Sequence, residues 1–224
     1  MRDFNFNFKN NKKYKSDLIK FLKNQSNVEI GGTRLYDGTG THYMQNPYEI
    51  AELIFFLKSY EKKRGQKIKK FLEIGFAAGI NNSILNKFFL FNRNIAVDIV
   101  QPVGLNFSTF YANLRFKNLT LLCGDSKKNN IINQAKTLGN YDLIFIDGGH
   151  DYKTVKSDFI EYSKFISKKG IIVMHDIKSN IVKDVPRYWN ELKQKSKSNL
   201  QFKEIFKKGY KMECGLGVVI FNGK

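Results

Sequence analysis

Two acids and two histidines in the second half of the chain have the types and spacing to do chemistry. The segment I-D-G-G-H-D-Y (146–152) is followed by G-I-I-V-M-H-D (170–176). If both segments close neighbouring strands, Asp147, His175 and Asp176 converge on one point. Close carboxylates repel, and a divalent cation resolves the repulsion. His150 follows Asp147 by three residues (150 − 147 = 3). A histidine with a pKa near 6.5 can take a hydroxyl proton at neutral pH. His150 can also be read as a ligand or orienting group, or as the cap of a helix starting at Asp151.

Upstream, E-I-G-F-A-A-G (73–79) reads as a strand end, a glycine turn and a helix start. Gly75 and Gly79 let backbone approach a ligand closely, and a helix N-terminus favours an anionic group. A dinucleotide fingerprint would need glycine at 77, where the chain has Ala77, so a nicotinamide enzyme is disfavoured. Asp98 ends the next apolar run, 23 residues after Gly75 (98 − 75 = 23). An acid there can accept both hydroxyls of a ribose. Gly124-Asp125-Ser126 closes the third run. Asp98 also reads as a plain strand-end cap, and Asp125-Ser126 as a helix N-cap.

These residues need a scaffold, and the chain supplies an alternation. Apolar runs at 71–75, 94–99, 119–125, 141–149 and 170–176 read as strands. Helical patterns at 80–91, 106–116, 127–138, 151–167 and 184–196 separate or follow them. Segments 201–206 and 216–221 read as a closing pair of strands. Such alternation predicts right-handed crossovers and a mostly parallel α/β sheet, with the ligand beyond the carboxyl ends of the strands. Earlier in the chain, 16–24 reads as a short amphipathic helix, and 29–45 as a glycine-rich loop. Asn46-Pro47 predicts a helix start, with Ile50, Leu53, Ile54 and Leu57 following at helical spacing. Residues 1–15 are Asn/Lys-rich and read as frayed. The expected division is an N-terminal helical cap over 1–65 and a catalytic domain over 66–224.

The spacing E-x-G-x-x-x-G, with acids after the second and third strands, resembles class I S-adenosylmethionine methyltransferases. D-G-x-H-x-Y, followed by a glycine turn and H-D, is similar to a group of metal-assisted small-molecule O-methyltransferases. That group includes macrolide-sugar O-methyltransferases, proteins named for cephalosporin hydroxylase, and the methyltransferase type 24 group; catechol O-methyltransferases share the layout more distantly. The resemblance spans roughly residues 43–176. It implies a Rossmann-like fold with a seven-stranded, mostly parallel sheet. It implies S-adenosylmethionine bound by Glu73, Gly75, Gly79, Ser83, Asp98, Gly124, Asp125, Ser126 and Asp147. Gln45, in T-H-Y-M-Q-N-P with His42, would fold over the methionine end. It also implies a divalent metal, Mg²⁺ or Mn²⁺, on Asp147, His175 and Asp176, with His150 as general base. Two positions depart from the group. His175 stands where relatives carry an acid, which softens the site toward Mn²⁺, Fe²⁺ or Zn²⁺. Lys169 replaces the second glycine of the fifth-strand turn.

The implied reaction is in-line methyl transfer to a hydroxyl of a small polar acceptor, with a sugar diol or a catechol as the fitting geometry. Aromatic segments 107–111 and 186–189 read either as acceptor lining or, more often, as core. Self-association through the N-terminal cap is a further implication of the resemblance.

Composition bounds the alternatives. The chain has 224 residues, 42% of them hydrophobic, which excludes a disordered chain. Nothing approaches the ~18 consecutive apolar residues of a membrane helix, and no secretory leader is visible. Two cysteines, Cys123 and Cys214, make no disulfide framework, so a cytoplasmic setting is expected. The net charge of +18 suggests an acidic partner, and an RNA methyltransferase is the second hypothesis. However, 32 of the 38 basic residues are Lys and six are Arg, which looks like codon bias spread over a surface. The base-methylating loop [N/D]-P-P-[Y/F] is replaced by I-D-G-G-H. A binding protein that has lost its chemistry is the third hypothesis, and the intact His150 and both acids speak against it.

Overall fold

The structure is a computed structural model that describes residues 4–24, 45–77, 79–99, 118–196, 199–210 and 213–222. Seven strands form one sheet: β1 (Lys70–Ile74), β2 (Arg93–Asp98), β3 (Leu119–Cys123), β4 (Tyr141–Ile146), β5 (Ile166–Met174), β6 (Leu200–Ile205) and β7 (Leu216–Phe221). Their order is β3-β2-β1-β4-β5-β7-β6, with β7 antiparallel to both neighbours and the rest parallel. Six helices flank it among the described residues: α1 (Lys12–Lys23), α2 (Pro47–Arg64), α3 (Ile80–Phe89), α4 (Asn129–Thr137), α5 (Tyr152–Ser163) and α6 (Asp184–Lys195). This is the mostly parallel α/β sheet that the alternation predicts, with the seven strands that the resemblance implies.

The period of two in β4 builds both cores. Leu143 and Phe145 face one layer, with Leu18, Leu22, Ile50, Leu53, Ile54 and Leu57 of α1 and α2. Ile144 and Ile146 face the other, with Val155, Phe159 and Trp189 of α5 and α6. Burial on both faces is why the strand reads as a continuous apolar run. Asn46 caps α2 by accepting from Tyr48 N at 3.0 Å, and Pro47 follows it, as the sequence predicts.

Several boundaries differ. The N-terminus is not frayed over 4–15. Phe4 and Phe6 pack on Phe21 and Phe88, and Phe8 packs on Tyr14 and Phe55. Asn11 accepts from Tyr14 N at 2.7 Å and starts α1 at Lys12, ahead of the expected 16. The aromatic rings outweigh the polar composition because each buries a large apolar area. The fifth helix ends at Ser163, not 167, because Ile166 already pairs with Tyr141 across a register shift and opens β5. Lys169 adopts φ +59°, the left-handed region that a glycine would occupy without strain. Its carbonyl accepts from Tyr60 Oη at 3.1 Å and Arg64 Nη1 at 3.0 Å, which holds it there. The helix expected at 106–116, the loop at 29–44 and His42 lie outside the described residues.

Candidate active site

The order β3-β2-β1-β4 places the switch point between β1 and β4, where connections leave in opposite directions. Gly75 closes β1 there with φ +88°. A Cβ on Gly75 would lie 1.9 Å from the Asp147 carbonyl oxygen, so the β1 and β4 ends approach more closely than any side chain permits. Asp98, closing β2, accepts from Phe76 N at 2.8 Å and Ala77 N at 2.9 Å through Oδ2. It therefore braces the glycine turn from the neighbouring strand. Glu73 is buried on β1, and its Oε1 accepts from Asn81 Nδ2 at 2.8 Å. Burial pushes its carboxyl up to about 8, so it is neutral at pH 7.

Beyond β4 and β5 the predicted convergence occurs. His175 Nδ1 lies 3.1 Å from Asp147 Oδ1 and 3.4 Å from Asp176 Oδ2. His150 Nε2 lies 3.2 Å from Asp176 Oδ2 and 3.8 Å from Asp147 Oδ1. Gln45 Nε2 donates to Asp147 Oδ2 at 2.7 Å. His150 is not the helix cap: Asp151 caps α5 by accepting from Thr154 N at 3.0 Å. Asp176 holds φ +64°, a left-handed conformation that costs a non-glycine residue of order 1 kcal/mol or more and marks a constrained site.

The electrostatics follow from this packing. Burial works to raise the Asp147 and Asp176 carboxyls, but His175 and His150 outweigh it, and both lie below the usual carboxylate range. Burial works to lower His175, and the two carboxylates outweigh it in turn. His150 is lifted to about 10 by Asp147 and Asp176. Without another positive charge between the acids, the His150 ring is an imidazolium ion at neutral pH.

The donor set suits a cation. One ligand atom each from Asp147, His150 and Asp176 lies within 4.8 Å of the others, and so does the set His175, Asp176 and Cys214. His175 Nε2 is buried with no hydrogen-bond partner among the described residues. Buried ring nitrogens are normally satisfied, so this atom marks room for a ligand. Cys214 is the residue that sequence reasoning missed. It lies in the β6–β7 connection, 38 residues after Asp176 (214 − 176 = 38), and only the insertion of β7 beside β5 brings it back. Lys178 N donates to its carbonyl at 2.7 Å.

A cavity of about 670 Å³ joins these parts. Gln45, Glu73, Gly75, Asp98, Gly124, Asp125, Ser126, Asp147, His150, His175 and Asp176 line it. Gly79 and Ser83 do not: Gly79 forms the left-handed entry to α3, and Ser83 is buried in the helix behind it. Asp125 Oδ1 accepts from Lys127 N at 2.9 Å, and Lys127 Nζ donates to Thr154 Oγ1 at 2.8 Å. Tyr188 and Trp189 are core, not acceptor lining. Residues 107–111 lie outside the described segments.

A family model described as a methyltransferase domain matches residues 72–177, the stretch that carries β1 through the Asp147–Asp176 cluster. No curated protein matches the chain. Among solved structures, the O-methyltransferase TomG from Streptomyces achromogenes, in complex with SAM, is 14% identical with a TM-score of 0.64, covering 96% of this chain and 100% of TomG. An O-methyltransferase from Bacillus cereus, in complex with SAH, is 14% identical with a TM-score of 0.60, covering 92% of this chain and 90% of its own. An rRNA methylase from Streptococcus thermophilus is 9% identical with a TM-score of 0.60, covering 80% of this chain and 98% of its own. At these identities the likeness is one of fold. Within that fold, the match gives residues 72–177 a methyltransferase domain.

Proposed function

We propose that this S-adenosylmethionine-dependent methyltransferase acts on a hydroxyl of a small polar acceptor, a sugar or another vicinal diol, with a divalent cation at the ends of β4 and β5. The observation that carries this reading is the meeting of Asp147, His150, His175 and Asp176 in the cavity that the Gly75 turn also lines. The names of TomG and the Bacillus cereus relative, both O-methyltransferases, support it.

The methyl donor supplies its own leaving group as a sulfonium, so the protein must hold an oxygen in line and remove one proton. Asp98, Gly124, Asp125 and Ser126 are the residues proposed to hold the nucleoside. Gly75, Glu73, Gln45 and Asp147 surround the amino-acid end. Gly79 and Ser83, off the cavity wall, contribute the turn and the packing behind it. Asp147, His175 and Asp176 would hold the cation, which when bound supplies chelation of adjacent oxygens and an acidified hydroxyl. His150, half-exposed at the cavity, takes the proton. It can do so only as the neutral ring, so the base and the neutralisation of Asp147 and Asp176 stand or fall together. Gln45, just ahead of α2, covers Asp147 at this end of the cavity.

The cavity chemistry weighs against RNA as acceptor. Six carboxylates line it, those of Asp98, Asp125, Asp147, Asp151, Asp176 and Glu213, against Lys127 and the two histidines, while Glu73 is held neutral. A phosphate backbone would be repelled where the net +18 chain is locally acidic. The test is S-adenosylhomocysteine release from S-adenosylmethionine with sugars, catechols and structured RNA offered separately. Turnover on a diol is the expected result. Turnover on RNA alone would overturn the assignment.

A further inference from the structure

We propose that Cys214 is a metal ligand, so that His175, Asp176 and Cys214 form an imidazole–carboxylate–thiolate site for a borderline transition-metal ion such as Zn²⁺ or Fe²⁺, in place of Mg²⁺. This rests on the reading that a cation sits at the ends of β4 and β5; it puts Cys214 in the place of Asp147 among the ligands, leaves Asp147 to orient the His175 ring through Nδ1, and names the cation's chemical class.

Three observations meet here. A ligand atom from each of the three residues lies within 4.8 Å of the others, and all three are buried. His175, 5% exposed, turns Nδ1 to the carboxylates and keeps Nε2 buried without a partner among the described residues. The thiol is held in place by its backbone. Lys178 N donates to the Cys214 carbonyl at 2.7 Å, and Ile177 N to the Gly215 carbonyl at 3.3 Å. From the other side, Glu49 on α2 accepts from Gly215 N at 2.9 Å through Oε2 and from Lys207 N at 2.9 Å through Oε1. A buried carboxylate with both oxygens on one connection fixes that connection, and with it the thiol beside the imidazole.

The chemistry of the set selects the ion. Thiolate and imidazole favour Zn²⁺, Fe²⁺ and Co²⁺, whereas Mg²⁺ asks for oxygen ligands and retains its waters. Binding forms a metal–sulfur bond and breaks the S–H bond, and the proton leaves to solvent, because a coordinated thiol is deprotonated outright. No electron changes hands.

Co²⁺ is the probe, added to the reduced, metal-free full chain and followed by absorption, with equilibrium dialysis for total binding. The informative variant is Cys123→Ser. Cys123 is exposed, and its replacement leaves Cys214 as the one thiol of the chain. The expected result is a near-ultraviolet thiolate-to-cobalt charge-transfer band in wild type and Cys123→Ser, bleached by Zn²⁺, unchanged by excess Mg²⁺ and lost in Cys214→Ser. Bound Co²⁺ with no such band in Cys123→Ser overturns the role of Cys214 and leaves the cation reading intact. Absence of Co²⁺ binding in dialysis overturns both, while S-adenosylhomocysteine binding, measured alongside, still reports on the methyltransferase assignment.

Discussion

His175 Nδ1 stands 3.1 Å from Asp147 Oδ1, across the ends of two adjacent parallel strands. The register places Ile146 opposite Met174, so the next residue of each strand emerges at the same level. His175 N also donates to the Ile146 carbonyl at 3.0 Å, extending the ladder by one step. The pair is thus set by strand geometry and not by loop conformation. This is the precision a positioned cation or base requires.

Asp176→Ala removes one carboxylate from both candidate ligand sets. Methyl transfer to the true acceptor should lose its metal dependence and fall sharply, while S-adenosylhomocysteine affinity stays within about threefold. Full activity in the variant would show that no cation is used there. Titration of turnover against added Mn²⁺ and Mg²⁺ distinguishes the cases.

His150→Ala should lower kcat by about 10²–10⁴, the usual contribution of a general base, with a smaller change in KM. A fall of less than about threefold in steady-state kinetics would remove His150 as the base.

Glu73 gives a pH prediction. Its folded pKa, about 8, lies above the ordinary 4.5, so the folded state binds the proton more tightly than the unfolded chain. The stability from this group is fully present below about 4.5 and is lost as pH rises through about 8. Glu73→Gln stays neutral throughout. Its melting temperature should lie close to wild type near pH 5 and exceed it near pH 8.5 by about 8 °C or more, for a difference of roughly 4 kcal/mol. Parallel melting curves at both pH values would show that Glu73 is not held protonated.

Gly75→Ala should be severe. The added methyl would meet the Asp147 carbonyl oxygen at 1.9 Å, and that contact is backbone to backbone. The β1 and β4 ends would have to separate at the switch point. Expected outcomes are a loss of at least about 2 kcal/mol in denaturant unfolding and loss of S-adenosylhomocysteine binding. Wild-type affinity would show that the strand ends part freely.

Much of the fold and of the meeting of Asp147, His175 and Asp176 was legible in the sequence because polar residues coincide with strand ends. Asp98, Asp125, Asp147 and Asp176 each follow an apolar run, so period and residue type mark strand and site together. Asn46-Pro47 announced α2 for the same reason, a cap with a local mechanism. Cys214 was not legible, because its place depends on β7 returning antiparallel between β5 and β6, a pairing that no local pattern encodes. The packing of Phe4, Phe6 and Phe8 was hidden by the Asn and Lys residues between them. The rings find partners on α1 and, far along the chain, on α2 and α3. Gln45 and Asp98 were expected to face the cofactor directly. In the structure they also hold Asp147 and the glycine turn, contacts that a sequence motif does not reveal.

The most direct test of a cation-assisted S-adenosylmethionine site is thermal melting with S-adenosylhomocysteine, with and without Mn²⁺ or Zn²⁺. A ligand at 100 times its Kd adds about 2.7 kcal/mol, roughly 5–10 °C for a chain of this size. A rise of that size with the product, enlarged by the metal, is the predicted result. A rise that no metal changes would contradict the cation, and no rise at all would contradict the cofactor site itself.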